Sequence, residues 1–231
     1  MESEQIRVKV LSSTPDVAWK RAYRDGLKRA LDTVFALIAL VLFWPVMVAI
    51  GVLIRLDSPG PALFVQKRIG KEGRPFRIYK FRTMTHSLDN SAHVKFMQAF
   101  VQGRLNARAS SLDTTYKPFA ESQVTRLGRI LRKTSLDELP QIINVLKGEM
   151  SLVGPRPNVP YEVQAYKEWH RERLTVLPGI TGLAQVRGRS SLEFDTIASY
   201  DIQYARAQSL SLDAQSLLST LTAVIRGRGA N

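Results

Sequence analysis

From Thr33 to Ile54 the chain runs 22 residues without a charge. A bilayer core needs roughly 20 apolar residues in one helix, so length alone predicts a membrane segment. Trp44-Pro45 stands at its centre, and a proline removes one backbone donor and crowds the preceding turn, which predicts a break there. Lys20, Arg21, Arg24, Lys28 and Arg29 precede the run, and Arg55, Lys67, Arg68, Lys71 and Arg74 follow it. Lys and Arg accumulate in cytoplasmic loops, so both ends read as cytoplasmic. Residues 25–57 are therefore expected to form a re-entrant hairpin of two half-helices broken at Pro45. The alternative is one kinked span, because proline is tolerated in membrane helices. A cleaved signal peptide does not fit a run this long and this far from the start.

The remaining pattern predicts one further unit. Residues 1–24 are polar and mixed, as expected of a loose arm. Ser58-Pro59-Gly60-Pro61 stops a helix, and 62–66 and 76–81 read as two short strands around Gly70-Lys71-Glu72-Gly73. Residues 84–122 have weak periodicity and read as a flap, with Phe96, Phe100 and Val101 marking one short helix. Leu136, Leu139, Ile143 and Leu146 mark one face of a helix ending near Gly148, and Val163, Tyr166, Trp169 and Leu174 mark another. Between them Leu152-Val153-Gly154-Pro155-Arg156-Pro157 reads as a rigid loop, too rich in proline for a central strand. Phe194, Ile197 and Tyr204, then Leu217, Leu221, Val224 and Ile225, give two amphipathic helices suited to a core or to lipid. The expected fold is α+β and mostly helical: the membrane hairpin, then a compact domain over 58–231 with a short β-hairpin and surface amphipathic helices.

The net charge of +13 and pI near 10.3 call for an anionic partner, and nucleic acid, anionic membrane lipid and phosphorylated substrates all qualify. The apolar run favours lipid. With no cysteine, disulfides, thiolate nucleophiles and zinc–thiolate sites are excluded. His86, His93 and His170 are too scattered for a metal triad.

The densest local chemistry is Thr134-Ser135-Leu136-Asp137-Glu138-Leu139-Pro140-Gln141. A structural reading is available: Ser135 and Glu138 match a capping box, and acidic residues suit a first helical turn. Against it stand Arg126, Arg129, Arg132 and Lys133 just upstream and Arg156 on the rigid loop, residue types that bind phosphate. A helix start, a divalent cation and a carboxylate would meet a phosphate there. Asp137 shares a face with Gln141 and Asn144, away from the apolar stripe, which leaves it free to attack phosphorus while Glu138 moves a proton.

Ordered blocks now become recognisable. Lys28-Arg29-Ala30-Leu31-Asp32, Pro45, Ser58-Pro59-Gly60-Pro61, Gln66-Lys67-Arg68-Ile69-Gly70, Tyr79-Lys80-Phe81-Arg82-Thr83-Met84, Leu131-Arg132, Ser135 to Gln141, Leu152 to Pro157 and Pro178-Gly179-Ile180-Thr181-Gly182 resemble the bacterial sugar transferases, small monotopic phosphoglycosyl transferases. The likeness covers roughly residues 27–228. It implies transfer of a sugar-1-phosphate from a UDP-sugar to polyprenol (undecaprenyl) phosphate through an aspartyl-phosphosugar intermediate, at the cytoplasmic face of the bacterial inner membrane, as the first membrane step of exopolysaccharide or other glycan assembly. It implies Asp137 as nucleophile and Mg2+ ligand and Glu138 as proton handler. Arg132 would contact phosphate, Lys80 and Arg82 would lie near the phosphates, and Pro155, Arg156 and Pro157 would form part of the uridine pocket. Trp44 stands where family members often carry Ser.

Two other classes remain. A membrane-bound nucleic-acid module would use Gly70-Lys71-Glu72-Gly73 like a KH clamp, but such clamps join helices rather than strands, so no nucleic-acid partner is expected. A non-catalytic scaffold for glycan enzymes would have no need of an Asp-Glu dyad beside arginines. Neither the sugar nor the glycan pathway is specified, and a homodimer is allowed by the sequence without being encoded in any one residue.

Overall fold

The computed structural model describes residues 26–85, 91–104, 123–188 and 192–225; the arm predicted over 1–24 and the remaining parts of 86–122 lie outside them. The fold is mostly helical, with two sheets of two strands each. Helix α1 (Lys28–Asp57) carries the uncharged run, with Pro45 inside it and helical structure at every position. Helical structure thus continues through Pro45, without the separation into two half-helices expected there. A proline removes a single hydrogen bond, and tertiary contacts on both sides of it hold the neighbouring turns.

Those contacts run along the whole of α1. At its start Arg29 donates to the carbonyls of Val145 (2.6 Å) and Leu146 (3.0 Å). Ala36, Ala39 and Leu40 pack with Ile142 and Val145, while Met47, Ile50 and Ile54 pack with Phe81, Leu131 and Leu139. At its end the Arg82 guanidinium donates to the carbonyls of Ser58 (2.7 Å) and Pro59. The opposite side is apolar and uncovered: Phe35, Ile38, Val41, Leu42, Trp44 and Val52 are exposed. Only 11% of the most apolar stretch is buried, unlike a core helix, and among the described residues this is the one helix long and apolar enough to cross a membrane.

Strands β1 (Leu63–Ile69) and β2 (Pro75–Phe81) form the predicted antiparallel hairpin, from Leu63 opposite Phe81 to Ile69 opposite Pro75. Gly70 to Gly73 is its turn, with Glu72 at φ 58°, so the Gly-x-x-Gly joins strands and is not a KH clamp. Side chains alternate along a strand, so the face that buries Phe76 and Ile78 also carries Lys80 inward. Among the described residues no third strand pairs with β2. Instead Asn144 accepts from the Tyr79 amide (3.1 Å) and donates to the Arg77 carbonyl (2.7 Å), as a neighbouring strand would.

Helix α2 (Ser91–Val101) is the short helix expected within the flap, and it joins the core: Val101 is fully buried among Val163, Tyr166 and Phe194. Helix α3 (Arg126–Thr134) leads to the acidic pair, and α4 (Gln141–Lys147) ends at Gly148 as predicted, although its buried face is Gln141, Ile142, Asn144 and Val145. The rigid loop is partly a strand: β3 (Ser151–Val153) pairs in parallel with β4 (Gly179–Thr181). The proline argument therefore applies only from Pro155 onward. The two segments nearly touch. A Cβ on Gly179 would lie 2.0 Å from the Gly154 amide nitrogen, so only glycine fits. Gly179→Ala is expected to cost about 3 kcal/mol or more through forced backbone displacement, read as a lower melting temperature of the detergent-solubilised protein.

After α5 (Pro160–Gln164) and α6 (Leu183–Arg187), helix α7 (Phe194–Ala207) buries Phe194, Ala198, Ile202 and Tyr204. Helix α8 (Leu210–Ile225) does the reverse of a core helix. It turns Asp213 and Ser216 inward and leaves Leu217, Leu218 and Leu221 exposed.

Candidate active site

The acidic pair does not form a capping box. Ser135 adopts the left-handed conformation (φ 57°) and terminates α3, its amide donating to the Arg132 carbonyl at 3.1 Å. Asp137 and Glu138 then occupy a single 3₁₀ turn, Leu136–Glu138, wedged between α3 and α4 against the inner face of β2. Glu138 does not reach back to the Ser135 amide. Its Oε1 accepts from Lys80 Nζ at 2.6 Å and from the Arg156 guanidinium at 3.3 Å.

A cleft opens here, lined by Arg68, Lys80, Glu138, Gln141, Arg156, Pro157 and Ile180. Arg68 donates to the Pro157 carbonyl (2.9 Å) and to Gln66 Oε1 (2.7 Å), while its Nε is buried without a partner. Burial and the nearby Arg156 charge lower Arg68 to about 10. Burial would raise Glu138, but Lys80 and Arg156 outweigh it and hold the carboxyl at about 2. Lys80 itself is pushed down by burial in spite of Glu138.

Asp137 differs from its neighbour in being uncommitted. It is half-buried beside the cleft, and among the described residues no hydrogen bond or ion pair reaches its carboxylate. Burial raises its pKa, against the pull of Lys80 and Arg132. Arg132 points the same way, with its Nε on Thr83 Oγ1 at 2.9 Å. Of the other basic residues predicted to crowd this point, Arg126, Arg129 and Lys133 face outward.

One predicted site residue, Arg82, lies away from the cleft. Arg82 is 6% exposed and spends its guanidinium on the carbonyls at the end of α1, anchoring that helix rather than facing the cleft. Asn144 is buried against β2 instead of sharing a face with Asp137, and Gln141 is buried in the cleft wall. Pro155 is buried in the loop, Pro157 is buried and lines the cleft, and Arg156 lines it as the exposed member.

Residues 23–227 match the profile of a family described as bacterial sugar transferase. The chain belongs to the bacterial sugar transferase family. It is 39% identical to a UDP-N-acetylgalactosamine-undecaprenyl-phosphate N-acetylgalactosaminephosphotransferase of Aeromonas hydrophila, over 88% of this chain and 45% of that protein. It is 38% identical to a UDP-glucose:undecaprenyl-phosphate glucose-1-phosphate transferase of Caulobacter vibrioides, over 94% and 76%. The exopolysaccharide production protein ExoY of Rhizobium meliloti is 37% identical over 88% and 87%. The chain thus spans less than half the length of some curated relatives it matches and most of others.

The cleft residue that sequence reasoning did not single out is Arg68. It stands within a recognised block, but the expected strand ended at Gln66, whereas β1 runs on to Ile69 and includes Arg68. As a site for magnesium the cleft supplies few protein ligands: among the described residues no group of three His, Asp or Glu side chains is placed to hold a metal. One free carboxylate, Asp137, suits a magnesium ion that takes its other ligands from substrate phosphates and water.

The low value of Glu138 has a consequence for stability. A carboxyl whose pKa is depressed in the fold contributes stability that is complete above its ordinary value of 4.5 and is lost as pH falls towards about 2. The melting-temperature gap between wild type and Glu138→Gln is expected to be widest near neutral pH and to narrow between pH 4.5 and the lowest workable pH.

Proposed function

We propose that this chain transfers a sugar-1-phosphate from a UDP-sugar to polyprenol phosphate, with Asp137 as the nucleophile. The observation that carries the reading is the contrast within the dyad: a free Asp137 carboxylate next to a Glu138 already neutralised by Lys80 and Arg156, at the edge of a cleft with excess positive charge. An Asp137 oxygen forms a bond to the sugar-bearing phosphorus and the bond to UMP breaks, with the electron pair leaving on UMP. A phosphate oxygen of the lipid then attacks the same phosphorus and frees the carboxylate, giving polyprenyl-diphosphate-sugar. Both nucleophiles are anions, so neither step requires a base. This fits a Glu138 too acidic to carry a proton. Its role becomes electrostatic, holding Lys80 and Arg156 at the phosphates, with Arg132 beside Asp137 and Arg68 deeper in the cleft. Magnesium held by Asp137 and the donor diphosphate would neutralise charge on the leaving UMP.

The membrane arrangement supports the same reading. One domain grips both ends of α1, through Arg29 at the start and Arg82 at the end, while the outer side of the helix is uncovered apolar surface. A straight span would place those ends on opposite faces, about 30 Å apart. We therefore read α1 as entering the membrane from the cytoplasmic face and staying monotopic, with the exposed leucines of α8 resting on lipid.

The test is magnesium-dependent UMP release by the full chain in lipid nanodiscs containing polyprenol phosphate. UDP-glucose, UDP-galactose and UDP-N-acetylgalactosamine serve as donors. Release that requires the lipid is expected with one of them. No release from folded protein with any donor would favour the scaffold reading.

A further inference from the structure

The loop that presents Arg156 is held from inside the protein by a residue outside the cleft. Arg173 lies in the 3₁₀ segment Glu168–Thr175 and is 2% exposed. Its NH2 donates to the Arg156 carbonyl at 3.1 Å and to the Asp201 carboxylate on α7. Its NH1 donates to the Tyr166 hydroxyl at 2.6 Å and to the Asn158 side-chain oxygen. Asn158 then donates to Glu162 Oε2 at 2.5 Å, which also accepts from the Val159 amide.

A buried ion pair of this kind is a weak source of stability, since well-packed apolar residues of similar volume often do as well. What apolar residues cannot do is grip a carbonyl. The arginine fork is planar, with donors in fixed directions, and here it spans the loop residues Arg156 and Asn158, Tyr166 and α7 together. Gly154, Pro155 and Pro157 are buried, so Arg156 is the one residue of the turn that leaves the surface. Arg68 holds the adjoining Pro157 carbonyl from the cleft side at 2.9 Å. The backbone of Arg156 is therefore pinned between two arginines, and its guanidinium meets Glu138 from that fixed point.

We propose that Arg173 is a positioning residue for the sugar donor: by gripping the Arg156 carbonyl from the core, with Asp201 behind it, it sets the direction in which the Arg156 guanidinium enters the phosphate-binding cleft. The proposal rests on the transfer reading above. Lysine at 173 would keep the charge opposite Asp201 but has no fork with which to hold Arg156 and Asn158 as well.

The experiment compares wild type, Arg173→Lys, Arg156→Ala and the double variant, as full chains in nanodiscs, with whichever of the three donors wild type uses. Arg173→Lys is expected to raise the donor KM by roughly tenfold with kcat within about twofold. In the Arg156→Ala background the same change is expected to move KM by less than about twofold, because the group it acts through is gone. Tyr166→Phe removes one acceptor, keeps the Arg156 and Asp201 contacts, and gives a smaller KM rise that also vanishes without Arg156. It decides the matter if Arg173→Lys does not fold. Equal KM changes in both backgrounds, or a lowered melting temperature with KM unmoved, overturn the proposal. Folded wild type that turns over no donor overturns the transfer reading itself, and this inference with it, before any variant is made.

Discussion

Asp137→Asn is expected to reduce UMP release by a factor on the order of 10⁴ or more, at an unchanged melting temperature. The substitution keeps volume and shape and replaces one nucleophilic oxygen with an amide nitrogen. Asp137 holds no structural hydrogen bond among the described residues, so the fold loses nothing with it. The carboxylate also lies close enough to Lys80, Arg132 and Arg156 to feel all three, and those cations remain to bind donor. Donor binding, followed by displacement of a fluorescent UDP analogue, is therefore expected to persist while turnover disappears. Turnover at the wild-type rate in Asp137→Asn would remove Asp137 as nucleophile and leave the cleft as a binding site.

The sequence carried the elements whose cause is local. The β-hairpin was legible because strand alternation and its Gly-rich turn agree, and the end of α4 because Gly148 supplies the left-handed residue that follows a helix. The dyad itself was legible as acidic residues next to arginines. What was not legible depends on tertiary partners. Ser135 and Glu138 satisfy the capping-box spacing, yet the left-handed turn at Ser135 directs Glu138 to Lys80, which lies 58 positions earlier and comes inward only because β2 alternates. Arg82 and Arg132 look alike in sequence, but Arg82 meets the end of α1 and Arg132 faces Asp137. The pairing of β3 with β4 depends on glycines that only matter when the two segments touch. Hydrophobic spacing on α8 marked Leu217 and Leu221 as one stripe and could not say that these two face outward.

Lys80→Ala is expected to lower both stability and turnover, and the double variant Lys80→Met with Glu138→Gln to restore only the first. Glu138 is 20% exposed at its side chain and Lys80 15%, so removing Lys80 leaves a largely buried carboxylate with one partner, the half-exposed Arg156 at 3.3 Å. Breaking a buried pair from one side costs about 2 to 4 kcal/mol here, below the fully buried case because Arg156 remains. Removing both charges at similar volume leaves nothing unpaired, and stability is expected to return to within about 1 kcal/mol of wild type. Turnover behaves differently. If Glu138 held Lys80 merely as a structural tie, the double variant would regain activity along with its fold. If Lys80 stabilises charge on the transferred phosphate, turnover stays down by roughly 10² to 10³ in both variants, the usual loss when one preorganised donor is taken from a developing oxyanion. Melting curves and UMP release measured on the same samples separate these outcomes, and recovery of turnover in the double variant would reduce the Lys80–Glu138 pair to scaffolding.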